Sequence, residues 1–385
     1  MSWFAAVAPA VIVFDFDPVA VIAGFAVRWQ IAAVAAVIFE ALVLAGVIAL
    51  VAERRRVARL AADPERATAV AEAVRAAEET VRSATDSPGE PPDAGDDASD
   101  GDAPAPVPPP AVEERAWPVG LRPDDLLFIV AGGVAGAVVV GRLGWVLLYV
   151  DWYRAHADAI LDPAVGGLTL AGGLVGGIIA GLAMAVLLGA PVARWLGVAV
   201  VPLLLALGLG KLAMVLGGAG QGLPTDASWA TAYAGPGPWG SLGPIIPSHP
   251  AQAYEALTTL AALLVVLLFA LVPACRRHPA ALFAVGIGLW AVGRFAVAFT
   301  WRDPALLGSL NGDQLVTLGM TVVAVVALVG VAVRAKGAAP VSRLAVAGVG
   351  AASAAAEAAD APSETTPPDP LAPSGTNDEG PSPEA

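Results

Sequence analysis

The 385-residue chain is poor in charge, in histidine and above all in cysteine. Cys275 stands alone, so an intrachain disulfide is excluded and the redox compartment stays open. Three histidines (His156, His249, His278) and no Cys-x-x-Cys pair argue against a structural metal site, and no motif asks for a cofactor. Charged residues make up 14% of the chain, against about a quarter in an ordinary soluble domain. Most lie between Glu53 and Asp125 or from Arg334 onward. No basic stripe runs through the sequence, which leaves nucleic acid without a binding surface. A basic n-region is also missing ahead of the first apolar stretch, where Asp15 and Asp17 stand instead, so no cleavable leader is read. The formal net charge of −13 gathers in two acidic, Pro- and Ala-rich segments and reports solvated chain rather than a partner.

What is abundant is apolar residue: 57% of the chain, with a mean hydropathy of +0.71. A helix crosses the hydrocarbon with roughly 20 such residues. Seven runs satisfy that length: Ile31–Ala52, Leu126–Val150, Gly166–Gly189, Leu196–Gly217, Ala251–Pro273, Ala281–Trp301 and Gln314–Val333. The expected fold is therefore an all-α polytopic membrane protein of about seven transmembrane helices with a small periplasmic cap loop. Val19–Trp29 is apolar but too short to cross and reads as an interfacial segment. Arg54, Arg55, Arg56, Arg194, Arg276, Arg277, Arg334 and Lys336 would share one side, which predicts the N-terminus outside and the C-terminus inside the cytoplasmic membrane.

Four regions follow. Residues 1–52 hold the interfacial segment and first span. Residues 53–125 form a cytoplasmic insert, helical over Glu53–Ser83 by its Ala, Glu and Arg content and disordered over the Pro/Asp/Gly/Ser-rich Ala84–Val112. Residues 126–335 are the transmembrane body, interrupted by the loop 218–248, and residues 336–385 read as a disordered tail. Trp229, Tyr233 and Trp239 suit that loop to a folded cap at the membrane boundary.

Charged groups at membrane depth are functional candidates by default. Glu40, Arg142, Lys211 and Arg294 qualify. Glu40 reads first as a helix-to-helix ion partner. Arg142 and Arg294 repel unless an anion such as a lipid phosphate, held by the guanidinium fork, joins them; otherwise each binds a carboxylate, such as Glu40 or Glu255, or helix-end carbonyls. Lys211 either snorkels to the outer boundary or joins the same pocket. In SHPAQAYEAL, Pro250 is expected in the first turn of the fifth span, capped by Ser248 or His249, with Gln252, Tyr254 and Glu255 entering the membrane behind it. The glycine-dense GGLTLAGGLVGG (166–177) reads as close helix packing or as a backbone wall beside a lipid headgroup.

These segments, in this order, resemble the bacterial prolipoprotein diacylglyceryl transferases. The resemblance runs through FDPVAVIAGFAVRW, VVGRLGWVLLY, GGLTLAGGLVGG, LGLGKLAMVLGGAGQGLPTDASWA, SHPAQAYEAL and GRFAVAFTWRDPA with DQLVTL. It implies transfer of a diacylglyceryl group from phosphatidylglycerol to the lipobox cysteine of prelipoprotein signal peptides. It also implies that Arg142 and Arg294, with Lys211 and Gly222, bind the phosphatidylglycerol headgroup, while His249, Tyr254, Glu255 and Arg294 carry the catalysis. No metal or cofactor is implied. The chain departs from the family pattern at Lys211 (usually Arg), Met214 (usually Asn), Ala219 and Ala298 (usually acidic), Ala171 (often His), and Gln30 and Trp290 (usually Tyr). A catalytically inactive relative that binds phospholipid or lipoprotein is therefore the alternative.

Overall fold

The computed structural model describes residues 11–63, 120–162, 164–241 and 245–334, with isolated positions between 68 and 79. The Pro/Asp-rich part of the insert and the C-terminal tail lie outside the described residues.

Seven long helices are present among the described residues, each long and apolar enough to cross a membrane. They are α1 (Trp29–Ala62), α2 (Pro123–Leu148), α3 (Leu170–Leu187), α4 (Val192–Met214), α5 (Ala251–Leu271), α6 (Pro279–Val297) and α7 (Gly312–Arg334). The sequence expectation of seven spans holds, with ends moved by a few residues. The largest shift is in α1, which runs ten residues past the expected end into the Arg-rich segment. Pro123 and Pro279 open α2 and α6 at positions where a missing N–H costs nothing.

Six short strands accompany the helices among the described residues, and the sequence reading anticipated none. Val19–Ile22 (β2) and Phe25–Arg28 (β3) form an antiparallel hairpin turned by Ala23 and Gly24 at positive φ. The interfacial segment is thus a hairpin leading directly into α1. Ala305–Leu307 (β5) and Leu310–Asn311 (β6) pair in the same way before α7. Ile12–Phe14 (β1) pairs in parallel with Thr231–Tyr233 (β4) of the cap loop. This last pairing constrains topology. β1 precedes α1 and β4 follows α4, so four helices separate two hydrogen-bonded strands. An even number of crossings returns a chain to its starting side, and the fourth span is required for that parity.

The opposite membrane face has its own tie. Glu53 Oε2 accepts hydrogen bonds from Leu121 N and Arg194 Nη2, both at 3.0 Å, and Oε1 accepts from Arg56 Nε at 3.0 Å. One carboxylate thereby joins the far end of α1 to the starts of α2 and α4.

Glycines let α2 and α3 meet backbone to backbone. A Cβ on Gly136 would fall on the Gly176 carbonyl, one on Gly176 would fall on the Gly136 carbonyl, and one on Gly141 would come within 3.3 Å of Gly173 Cα. This is the small-residue packing expected of GGLTLAGGLVGG. The apolar core lies between α3, α4, α5 and α6, where Leu204, Val266, Trp290 and Ala291 are fully buried.

Candidate functional site

Antiparallel succession brings the end of α4, the start of α5, the end of α6 and the start of α7 to one side of the membrane. Their charged residues converge there. Arg294, in the last turn of α6, is buried and donates through Nε to Asp313 Oδ2 (2.7 Å) and through Nη2 to Asp313 Oδ1 (3.2 Å). Its Nη1 donates to Glu255 Oε1. Lys211 Nζ lies 3.0 Å from the other Glu255 oxygen. Trp301 covers the cluster, its ring centroid 4.3 Å from the Arg294 guanidinium carbon and 5.7 Å from Lys211 Nζ, a cation–π arrangement. Two cations and two carboxylates thus alternate across four helices, which answers the desolvation cost of each charge.

The start of α7 is shaped for this. Asn311 Oδ1 accepts from Gln314 N and Gln314 Oε1 accepts from Asn311 N, both at 2.9 Å, a reciprocal cap. Asp313 is then released from capping and faces Arg294. The sequence reading missed Asp313 because an acidic residue opening a helix looks like an ordinary dipole partner. The available signal was the neighbouring Asn-x-x-Gln, which already supplied the cap.

Above α5, His249 Nδ1 lies 3.3 Å from the Tyr254 hydroxyl, which also accepts from Trp229 Nε1 at 2.6 Å. The cap strand folds over this pair: Gly222 N donates to His249 O (2.8 Å) and Leu223 N to Thr300 O (2.8 Å). A Cβ at Gly222 would strike that Thr300 carbonyl, so glycine is required by contact. Pro250 stands just outside α5 rather than within its first turn, and neither Ser248 nor His249 caps the helix. Instead Ser248 Oγ turns to Ile246 O and His249 to Tyr254. Deeper in the cap, Tyr233 OH donates to Val215 O at 2.9 Å and accepts from Gln252 Nε2 at 3.3 Å; burial pushes its pKa up to about 12.

Arg142 is placed elsewhere. Its five N–H groups meet five backbone carbonyls: Ile160 at 2.8 Å from Nε, Val165 at 2.7 Å and Gly167 at 3.3 Å from Nη1, Ala159 at 2.7 Å and Asp162 at 3.0 Å from Nη2. A guanidinium has five donors in all. The phosphate contact expected of Arg142 does not follow from this geometry, and the residue stitches the irregular segment 157–167 to α2. The repulsion expected between Arg142 and Arg294 is relieved separately for each, by carbonyls and by carboxylates. Glu40 lies on the exposed face of α1 and forms no ion pair among the described residues, contrary to its reading as a helix-to-helix partner.

A cavity of about 1020 Å³ opens between α1, α2, α3 and α4. Its long wall is apolar, with Leu42, Ile129, Val130, Leu182, Leu203 and Phe283 among the lining residues. One end is polar and charged, formed by Lys211, Gln221, Arg294, Arg302, Asp303 and Asp313. Neither Arg142, His249, Tyr254 nor Glu255 is part of this lining, although Glu255 reaches it through Lys211 and Arg294. Arg302 and Asp303 form no hydrogen bond or salt bridge among the described residues.

Seven apolar helices around a cavity with a greasy wall and an ionic end define a polytopic integral membrane protein. The profile of the prolipoprotein diacylglyceryl transferase family matches residues 112–330. The chain belongs to that family. A phosphatidylglycerol–prolipoprotein diacylglyceryl transferase of Geobacter sulfurreducens is 31% identical over 198 residues, 50% of this chain and 72% of the relative. One of Cupriavidus metallidurans is 30% identical over 243 residues, 61% and 84% of the two chains. One of Beijerinckia indica is 33% identical over 232 residues, 59% and 79%.

Proposed function

We propose that this protein transfers the diacylglyceryl group of phosphatidylglycerol to the lipobox cysteine of prelipoproteins, in the bacterial cytoplasmic membrane with its N-terminus outside. The supporting observation is the cavity. Its volume is at the upper end of ligand sites, its shaft suits acyl chains and its charged end suits a phosphodiester headgroup. The thioether forms as the phosphate ester bond to glycerol breaks, so negative charge grows on the departing glycerol phosphate. Cations placed at that point stabilise the transition state more than the bound lipid.

On this reading the labour is divided among them. Lys211 and Arg302 face the cavity and take the phosphate oxygens. Arg294, shared between Glu255 and Asp313, fixes the frame in which Lys211 stands. Arg142 holds the 157–167 segment. Gly222 lets the cap close on the Thr300 carbonyl and keeps His249 and Tyr254 over the site.

The test is lipidation of a lipobox peptide by the purified chain in nanodiscs containing phosphatidylglycerol. Product formation that fails with Arg302→Ala supports the proposal, and absence of product beside an active relative overturns it. A second reading has its own observation. The two deepest cations already have protein carboxylates, and Met214, Ala298 and Ala171 offer no polar atom where the family pattern has one. A lipid-binding relative without turnover fits that. It predicts saturable phosphatidylglycerol binding by the native chain and turnover only after Met214→Asn with Ala298→Glu.

A further inference from the structure

Transfer to a thiol needs a proton acceptor, because the thiolate is the nucleophile and a free thiol is mostly protonated near neutral pH. The cavity contains two carboxylates, Asp303 and Asp313. Both oxygens of Asp313 receive hydrogen bonds from Arg294. Glu255, behind them, is held by Arg294 and Lys211. His249 turns Nδ1 to the Tyr254 hydroxyl and does not line the cavity. Asp303 is different in each respect. It lies in the connection between Trp301 and β5, is exposed, borders the cavity beside Arg302, and forms no hydrogen bond or salt bridge among the described residues.

We infer that Asp303 is the proton acceptor for the incoming cysteine thiol. The inference rests on the transferase reading. In the step, the S–H proton passes to an Asp303 oxygen and the sulfur electron pair attacks the terminal glycerol carbon of the diacylglyceryl group. The carbon–oxygen bond to phosphate breaks, and its electron pair leaves on glycerol phosphate, whose added charge faces Lys211 and Arg302. The proton and the charge are then both accounted for within one site.

The surroundings support the role. Loss of hydration and, second, the Asp313 carboxylate raise the Asp303 pKa above the ordinary carboxylate value, while Arg294, Arg302 and Lys211 pull it down. Tyr149, at the end of α2, is the remaining titratable group close enough to feel its charge. A raised carboxylate pKa brings the acceptor nearer the thiol, which favours proton transfer at neutral pH.

The experiment uses the full chain in phosphatidylglycerol nanodiscs with a lipobox peptide. Asp303→Asn is expected to lower kcat by about 10²–10⁴-fold, the usual weight of a positioned base, with little change in KM for the lipid. The acid limb of the pH–rate profile should disappear, and Asp303→Glu should restore part of it. Saturation by phosphatidylglycerol, read by tryptophan quenching with a brominated lipid, should be unchanged and certifies folding. A peptide with selenocysteine, ionised without help, should abolish most of the difference between native chain and Asp303→Asn. An Asp303→Asn chain that turns over at the native rate, or a loss equal for thiol and selenol, overturns the inference and leaves the transferase reading intact. A native chain that makes no product overturns both.

Discussion

Glu255→Gln tests the ionic frame of the site, because one buried carboxylate there faces two cations. Glu255 is 1% exposed and Lys211 13%. At 3.0 Å and an effective dielectric near 20, the Lys211–Glu255 attraction alone amounts to about 5–6 kcal/mol before lost hydration is subtracted. Removing one member of such a buried arrangement typically destabilises by about 3–5 kcal/mol, since the remaining charges stay buried and uncompensated. Glu255→Gln is therefore expected to lose about that much. Lys211→Met should lose less, because Glu255 keeps Arg294. The double variant should fall short of the sum by about 1–3 kcal/mol, the coupling of groups in direct contact. Reversible unfolding in mixed micelles with increasing dodecyl sulfate, followed by the fluorescence of the ten tryptophans, measures all three. A Glu255→Gln cost under about 1 kcal/mol, or strict additivity, would show that the four charges do not act as one frame.

Arg142→Lys replaces five donors with three and should increase hydrogen exchange across residues 157–167, corresponding to roughly 2–3 kcal/mol of local stability. An unchanged exchange pattern would contradict the stitching role. Gly136→Leu should push α2 from α3 and cost about 1–3 kcal/mol or more, read as a lowered unfolding midpoint and lost folded yield. Tyr233 ionises near pH 10 when unfolded and at about 12 in the fold, so its contribution is complete below pH 10 and disappears as pH rises toward 12. That loss is about 2–3 kcal/mol in native chain and absent in Tyr233→Phe, which a series of thermal melts between pH 9 and 12 would reveal.

The span count was legible because hydrocarbon thickness sets a length that composition alone reports. Lys211, Arg294 and Glu255 were legible as a group because charge in an apolar helix needs a reason, and the structure brings all three together. Their partition was not. Whether Arg294 meets lipid or protein depended on Asp313, which sequence disguises as a helix-start residue. The choice for Arg142 between phosphate and carbonyls stayed open for a related cause: its partners are backbone carbonyls of an irregular segment, and every residue in the chain carries one. The strands escaped notice because two- to four-residue pairings leave no periodicity to detect. Asp303 sat in a recognised motif, yet its freedom from partners is a property of the folded site alone.

The parallel pairing of β1 with β4 has a consequence for synthesis. Phe14 leaves the ribosome 217 residues before Thr231, which at about 5–20 residues per second is a wait of roughly 10–45 s. Throughout that interval the N-terminal strand has emerged while its mate is unmade. The cap that pairs with β1 can be assembled only after the first four helices are threaded, so the newborn protein carries an open cavity until late in its insertion.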